Sequence, residues 1–153
     1  AKEGLFNILS NTFDFSTIKV LDLFGGTGSI DYELVSRGCK NVTYVDKHFP
    51  CIAFVKKTKA LLEIEEEIKI VKADAFKYIS KTTDQFDLII ADPPYAHPGL
   101  KTIPDLVFEN NLLAAEGWLI LEHDNKSNFE NHALFFRKQK YGNNIFSFFS
   151  ASG

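Results

Sequence analysis

Seven apolar, β-prone runs, the first five separated by helix-like segments, leave this chain few ways to fold. Ile18–Phe24, Asn41–Asp46, Glu67–Lys72, Phe86–Ala91 and Gly117–Glu122 read as strands. Lys2–Ser10, with Leu5, Phe6, Ile8 and Leu9 inward, reads as a short helix before the first of them. Ser29–Arg37 reads as a helix closed by Gly38, and Phe49–Leu62 as one with Pro50 in its first turn. Asp74 is expected to cap a short helix to Ile79, and Leu100–Leu113 to form another. Ala133–Lys140 and Asn144–Ser150, split by Tyr141-Gly142-Asn143, read as a hairpin. Strands that alternate with helices pair in parallel, and a hairpin adds antiparallel strands. The expectation is a three-layer α/β/α fold around a mostly parallel seven-stranded sheet with an antiparallel end.

Composition narrows the function classes. A chain of 153 residues with 45% hydrophobic content suits one soluble domain, residues 1–153. No apolar run approaches the ~20 residues that a membrane helix needs, so no membrane partner is expected. The formal net charge of −3 requires any nucleic-acid contact to use a local patch or the shape of the target. Cys39 and Cys51, the only cysteines, form no ligand pattern, which favours reduced thiols and a cytoplasmic setting. His48, His123 and His132 lack metal spacing, so structural roles and no metal are expected. The run Glu65-Glu66-Glu67 reads as a solvated helix end.

The chemistry concentrates at strand ends, where open parallel sheets bind ligands. Leu21-Asp22-Leu23-Phe24-Gly25-Gly26-Thr27-Gly28-Ser29 is a strand running into a glycine turn that opens a helix. Gly25, Gly26 and Gly28 let the backbone turn sharply and approach a ligand, and the helix start suits a carboxylate. Asp22 is placed to fix the loop or meet an ammonium group. The dinucleotide fingerprint fails because Asp31 stands where its third glycine belongs, and no Gly-Lys-Ser/Thr phosphate loop is present. Asp46, beside Lys47 at the second strand's end, suits ribose hydroxyls of a nicotinamide or an adenosyl cofactor. Asp74-Ala75 after the third strand suits an adenine amino group, although an aspartate there is ordinarily a helix cap.

The fourth strand delivers Asp92-Pro93-Pro94-Tyr95: a carboxylate, two prolines with restricted φ and an aromatic ring. Such a corner can grip a planar base that carries an amino group. A plain turn is the bland alternative, weakened by the glycine loop upstream. His97 is expected on the loop surface.

These residues resemble the ordered motifs of class I S-adenosylmethionine-dependent methyltransferases, which share a Rossmann-like fold. More narrowly, the chain is similar to the RsmD family, the 16S ribosomal RNA guanine-N2 methyltransferases. Lys2–Leu9, Leu23–Ser29, Leu34–Gly38, Gly117-Trp118-Leu119 and Tyr141–Phe149 carry that narrower likeness. The resemblance implies S-adenosylmethionine as cofactor, S-adenosylhomocysteine as product, and 16S rRNA, naked or in a small-subunit particle, as partner of a monomer. Its cofactor set would be Asp22, Phe24, Gly25, Gly26, Gly28, Asp46, Lys47, Asp74, Ala75 and Asp92, and its catalytic corner Asp92, Pro93, Pro94 and Tyr95. Family members usually carry an N-terminal basic β-hairpin, which the sequence does not include. An adenine-amino DNA methyltransferase and a non-catalytic RNA-binding module are the alternative readings, and the missing third glycine disfavours a nicotinamide oxidoreductase.

Overall fold

The computed structural model describes residues 2–151. The strands are β1 (Val20–Leu23), β2 (Val42–Asp46), β3 (Ile68–Lys72), β4 (Phe86–Ala91), β5 (Leu113–His123), β6 (Phe135–Tyr141) and β7 (Asn144–Phe149). They form one seven-stranded sheet in the order β3-β2-β1-β4-β5-β7-β6. The first five strands pair in parallel, and β7 runs antiparallel to both β5 and β6. From β1 the chain winds outward to β2 and β3, then returns to place β4 on the other side of β1. The carboxyl ends of β1 and β4 therefore flank the switch point, where such sheets open a crevice.

Alternation along the strands fills both faces. Val20, Leu88, Ile90 and Ile120 pack with α1 (Glu3–Thr12), α2 (Ser29–Ser36) and α3 (Phe49–Leu61), through Leu5, Leu9, Leu34, Ile52 and Val55. Leu21, Leu23, Ile89, Leu119 and Leu121 point the other way, against Ile79 of α4 (Ala75–Lys81) and Ile103 and Val107 of α5 (Ile103–Glu109).

Most expected elements stand within two residues of their bounds. Two do not. The expected helix Leu100–Leu113 is a 3-10 turn at Leu100–Thr102 followed by α5, which ends at Glu109. Asn111, in the left-handed region at φ 57, turns the chain there, and Leu113 already pairs with Phe86. The fifth strand accordingly begins at Leu113, with a register shift and Glu116 at φ 66 before the smooth run that starts at Trp118. A third correction concerns Asp74, which precedes α4 in the N-cap position yet makes no side-chain cap bond. Glu65-Glu66-Glu67 lies in the turn between α3 and β3, not on a helix end.

Cys39 and Cys51 are free thiols. Among the described residues no cluster of three metal-ligating side chains occurs, and no helix is long and apolar enough to cross a membrane.

Candidate active site

A cavity of about 520 Å³ opens at the carboxyl ends of the central strands. Phe24, Val45, Asp46, Lys47, Ala73, Asp74, Ala75, Asp92 and Tyr95 line it with both prolines of the corner. His48 and His97 complete the wall. The motifs at the ends of β2, β3 and β4 thus converge on one space.

The glycine turn is built against β2. Phe24 holds φ 60, a region uncommon for a bulky side chain, and the chain turns directly after β1. The Gly26 N–H donates to Asp46 Oδ2 at 2.9 Å, and the Gly26 carbonyl accepts from the Tyr44 hydroxyl at 2.6 Å. Tyr32 clamps the next residue, donating to the Thr27 carbonyl at 2.7 Å. Gly25 is required by close approach, since a Cβ there would strike the Tyr44 ring. Gly25, Gly26 and Gly28 shape the rim beside the cavity rather than its wall.

Asp46 holds the loop with Oδ2 and accepts the His48 N–H with Oδ1 at 2.9 Å. Each oxygen keeps a second lone pair. Asp74, which makes no side-chain cap bond, lines the same cavity. Between these acids the wall is apolar and aromatic. His97 stacks on Phe76 at 4.9 Å, and Phe24 meets Phe76 edge-on at 5.9 Å. His97 is therefore part of the site rather than the loop surface, because the Gly99 N–H donates to its Nδ1 and turns the ring inward. Asp46 and Asp74 thus share one cavity with the apolar Phe24, Val45, Ala73 and Ala75.

The corner after β4 is tied to the glycine side by its backbone: the Asp92 N–H donates to the Leu23 carbonyl at 3.2 Å. Asp92 is half-buried, and burial pushes its carboxyl up to about 6, helped by the nearby Glu122 charge and opposed by Lys2. Burial likewise pushes the Tyr95 phenol up to about 12, again with Glu122 contributing.

Asp22 lies beneath the loop, not in the cavity wall, and is 3% exposed. Its neighbour is Asp31 of α2, fully buried, and Asp22 Oδ2 and both Asp31 oxygens lack a donor among the described residues. Burial raises both carboxyls, Asp22 to about 6 and Asp31 well above the usual range. A proton kept on Asp31 satisfies the pair by donating to Asp22. In the sequence Asp31 registered only as a missing glycine.

Tyr44, Tyr32, Asp31, Phe76 and Glu122 lie outside the sequence motifs, and Asn144 lies in the Tyr141–Phe149 run without a role assigned to it. Only the tertiary contacts give these residues a part. His123 is structural as expected, buried with Nε2 2.7 Å from the Ser147 hydroxyl, and His132 pairs with Asp105 at 2.8 Å.

The sheet order, the terminal hairpin and the acid-lined cavity at the switch point define the class: a Rossmann-like methyltransferase. Residues 1–150 match the family model described as "Conserved hypothetical protein 95", and the chain belongs to that family, the RsmD family. Its relatives bear methyltransferase names. "Putative rRNA methyltransferase YlbH" of Bacillus subtilis is 31% identical over 147 residues, 92% of this chain and 79% of that protein. "Ribosomal RNA small subunit methyltransferase D" of Buchnera aphidicola is 30% identical over 127 residues, 83% of this chain but only 64% of its relative. A solved conserved hypothetical protein of Streptococcus pyogenes superposes with a TM-score of 0.84 at 27% identity, over 99% of this chain and 96% of that one. A SAM-dependent methyltransferase of Agrobacterium tumefaciens shares the fold, with a TM-score of 0.71 at 20% identity over 97% of this chain and 61% of that one.

Proposed function

We propose that this chain transfers a methyl group from S-adenosylmethionine to the exocyclic 2-amino group of a guanine in 16S ribosomal RNA. One observation carries the reading: the Asp92-Pro93-Pro94-Tyr95 corner and the strand-end acids Asp46 and Asp74 line one cavity. The ribosomal RNA names of the relatives support the substrate class.

When bound, the cofactor supplies an electrophilic methyl group on a sulfonium. Asp46, beside Lys47, would accept the ribose hydroxyls and Asp74, beside Ala75, the adenine amino group, while Phe24 would hold the ring. Gly25, Gly26 and Gly28 admit the amino-acid end, with Asp22 acting from beneath the loop. The 2-amino lone pair of guanine is delocalised into the ring, so the amine must be reoriented before it can attack. The Asp92 carboxylate accepts one hydrogen bond from the amine, and the Pro93 carbonyl accepts the other. Both acceptors are preorganised, and positioning supplies most of the acceleration. Asp92 stabilises the positive charge that develops on nitrogen and takes the proton as a secondary general base. Tyr95, 39% exposed, stacks on the target base, a contact worth roughly 1–3 kcal/mol. A base within a duplex must be flipped out to reach this corner.

The test combines chemistry with binding. Labelled S-adenosylmethionine and either 16S RNA or small-subunit particles from cells lacking the enzyme are incubated with the protein, and the RNA is analysed by mass spectrometry. The expected product is 2-methylguanosine at one position. Asp92→Ala should lower turnover by roughly two orders of magnitude or more while S-adenosylhomocysteine binding persists, in line with the loss of a preorganised transition-state contact. Methylation of DNA adenine instead, or full turnover by Asp92→Ala, would overturn the reading.

A further inference from the structure

Tyr95 follows two prolines on an exposed loop, yet its ring must hold one orientation to stack on a base. The restraint comes from the far end of the chain. The Tyr95 hydroxyl donates to Asn144 Oδ1 at 2.8 Å, and Asn144 Nδ2 donates to Glu122 Oε2 at 3.2 Å. Lys2 Nζ approaches Glu122 Oε1 at 3.4 Å from the start of α1. We propose that Asn144, locked by Glu122, is a positioning residue that sets the plane of Tyr95 against the substrate base. This deepens the RNA methyltransferase reading and rests on it.

The polarity of the relay follows from its innermost member. Glu122 is 4% exposed and is the last residue but one of β5, close enough for its charge to act on Asp92. The Asn144 amide turns its NH₂ toward Glu122, donating from Nδ2 to Oε2. That leaves the Asn144 carbonyl facing the corner, where it accepts only from a donor. The Tyr95 phenol is pushed up to about 12 and keeps its proton at neutral pH, so it is that donor. Each step permits a single orientation of the next.

The fold supplies the distance. Asn144 opens β7, and Glu122 and His123 pair with Phe146 and Ile145 on that strand. The residue just beyond this pairing overhangs the carboxyl end of β5, where the corner after β4 also emerges. The same hairpin packs on α1: Tyr141 lies against Gly4, where a Cβ would strike its hydroxyl. This contact brings Lys2 to Glu122 and offsets the buried charge. The terminal hairpin and first helix thus control a ring that belongs to neither.

The experiment reads ring order and catalysis separately. 3-Fluorotyrosine is placed at position 95 in wild type and Asn144→Leu, and its fluorine resonance is recorded. Methyl transfer to small-subunit particles is measured for wild type, Asn144→Leu, Tyr95→Phe and the double variant. A sharp fluorine line is expected in wild type and a broadened or shifted one in Asn144→Leu. KM for RNA should rise about tenfold in either single variant, with the effect on KM rather than kcat and an unchanged affinity for S-adenosylhomocysteine. The double variant should be no worse than either single one, because both break the same relay. An unmoved fluorine line, or additive losses in the double variant, would overturn the proposal while methyl transfer by wild type stands. If wild type methylates no RNA, the underlying reading falls and the substrate role of Asn144 falls with it.

Discussion

Asp92 is half-buried at the cavity wall, and burial, with the Glu122 charge next, pushes its carboxyl up to about 6. The proposed mechanism needs Asp92 ionised to stabilise positive charge and take the proton, so kcat/KM should rise with pH through about 6 and level off above it. Glu122 raises that value, hence Glu122→Gln should move the acid limb of the profile to lower pH. A limb unmoved by the substitution would remove Asp92 as the titrating group. Asp22 and Asp31 give a stability effect that runs the other way with pH. Their folded-state values lie above the unfolded carboxylate value of 3.8, so their contribution is complete below that value and is lost as pH climbs through about 6 and beyond. Asn at position 31 keeps a donor for Asp22 without needing a proton. Asp31→Asn should therefore raise Tm at pH 8, by about 2–4 °C for each kcal/mol relieved in a domain of this size. The gain should shrink toward pH 4, and thermal melts at the two pH values would show whether it does.

The glycine turn owes its shape to β2 as much as to its own residues. Tyr44 supports the Gly26 carbonyl and walls off Gly25, while Asp46 holds the Gly26 N–H. Tyr44→Phe deletes one hydrogen bond, worth about 0.5–1.5 kcal/mol, so S-adenosylhomocysteine affinity should fall roughly three- to tenfold. Gly25→Ala forces the Tyr44 ring aside and should cost more. Calorimetric titration that ranks the two variants in the opposite order would contradict this account. The glycines themselves were legible from sequence, because they punctuate a strand-to-helix junction. The tyrosines were not, since Tyr44 alternates in β2 like any core residue and Tyr32 sits in an ordinary helical pattern. The length of α5 was illegible for a related reason. Leu112 and Leu113 continue the apolar pattern of Val107 and Phe108 past Glu109, and the turn at Asn111 depends on Leu113 pairing with Phe86.

Two apolar layers share one sheet, and every helix rests on it, so neither layer has a boundary at which the other could survive alone. We propose that residues 1–153 form a single methyltransferase domain. Trp118, the sole tryptophan, sits among Phe13, Phe136 and Phe148 on the face covered by α1 to α3. Its fluorescence and the far-UV circular dichroism should report one coincident urea transition. Separate midpoints would divide the chain into more than one unit. Local periodicity was enough to specify the order of elements along the chain, most of the helices and the closing hairpin, because each depends on neighbours within a few residues. It was also enough to group Asp46, Asp74 and Asp92, since strand ends in a parallel sheet share one edge. The partners of those motifs came only with the assembled molecule. Asp31 beneath Asp22, Glu122 beside Asp92 and Asn144 on Tyr95 join residues from distant elements, and their chemistry is set by burial and orientation, which no local pattern encodes.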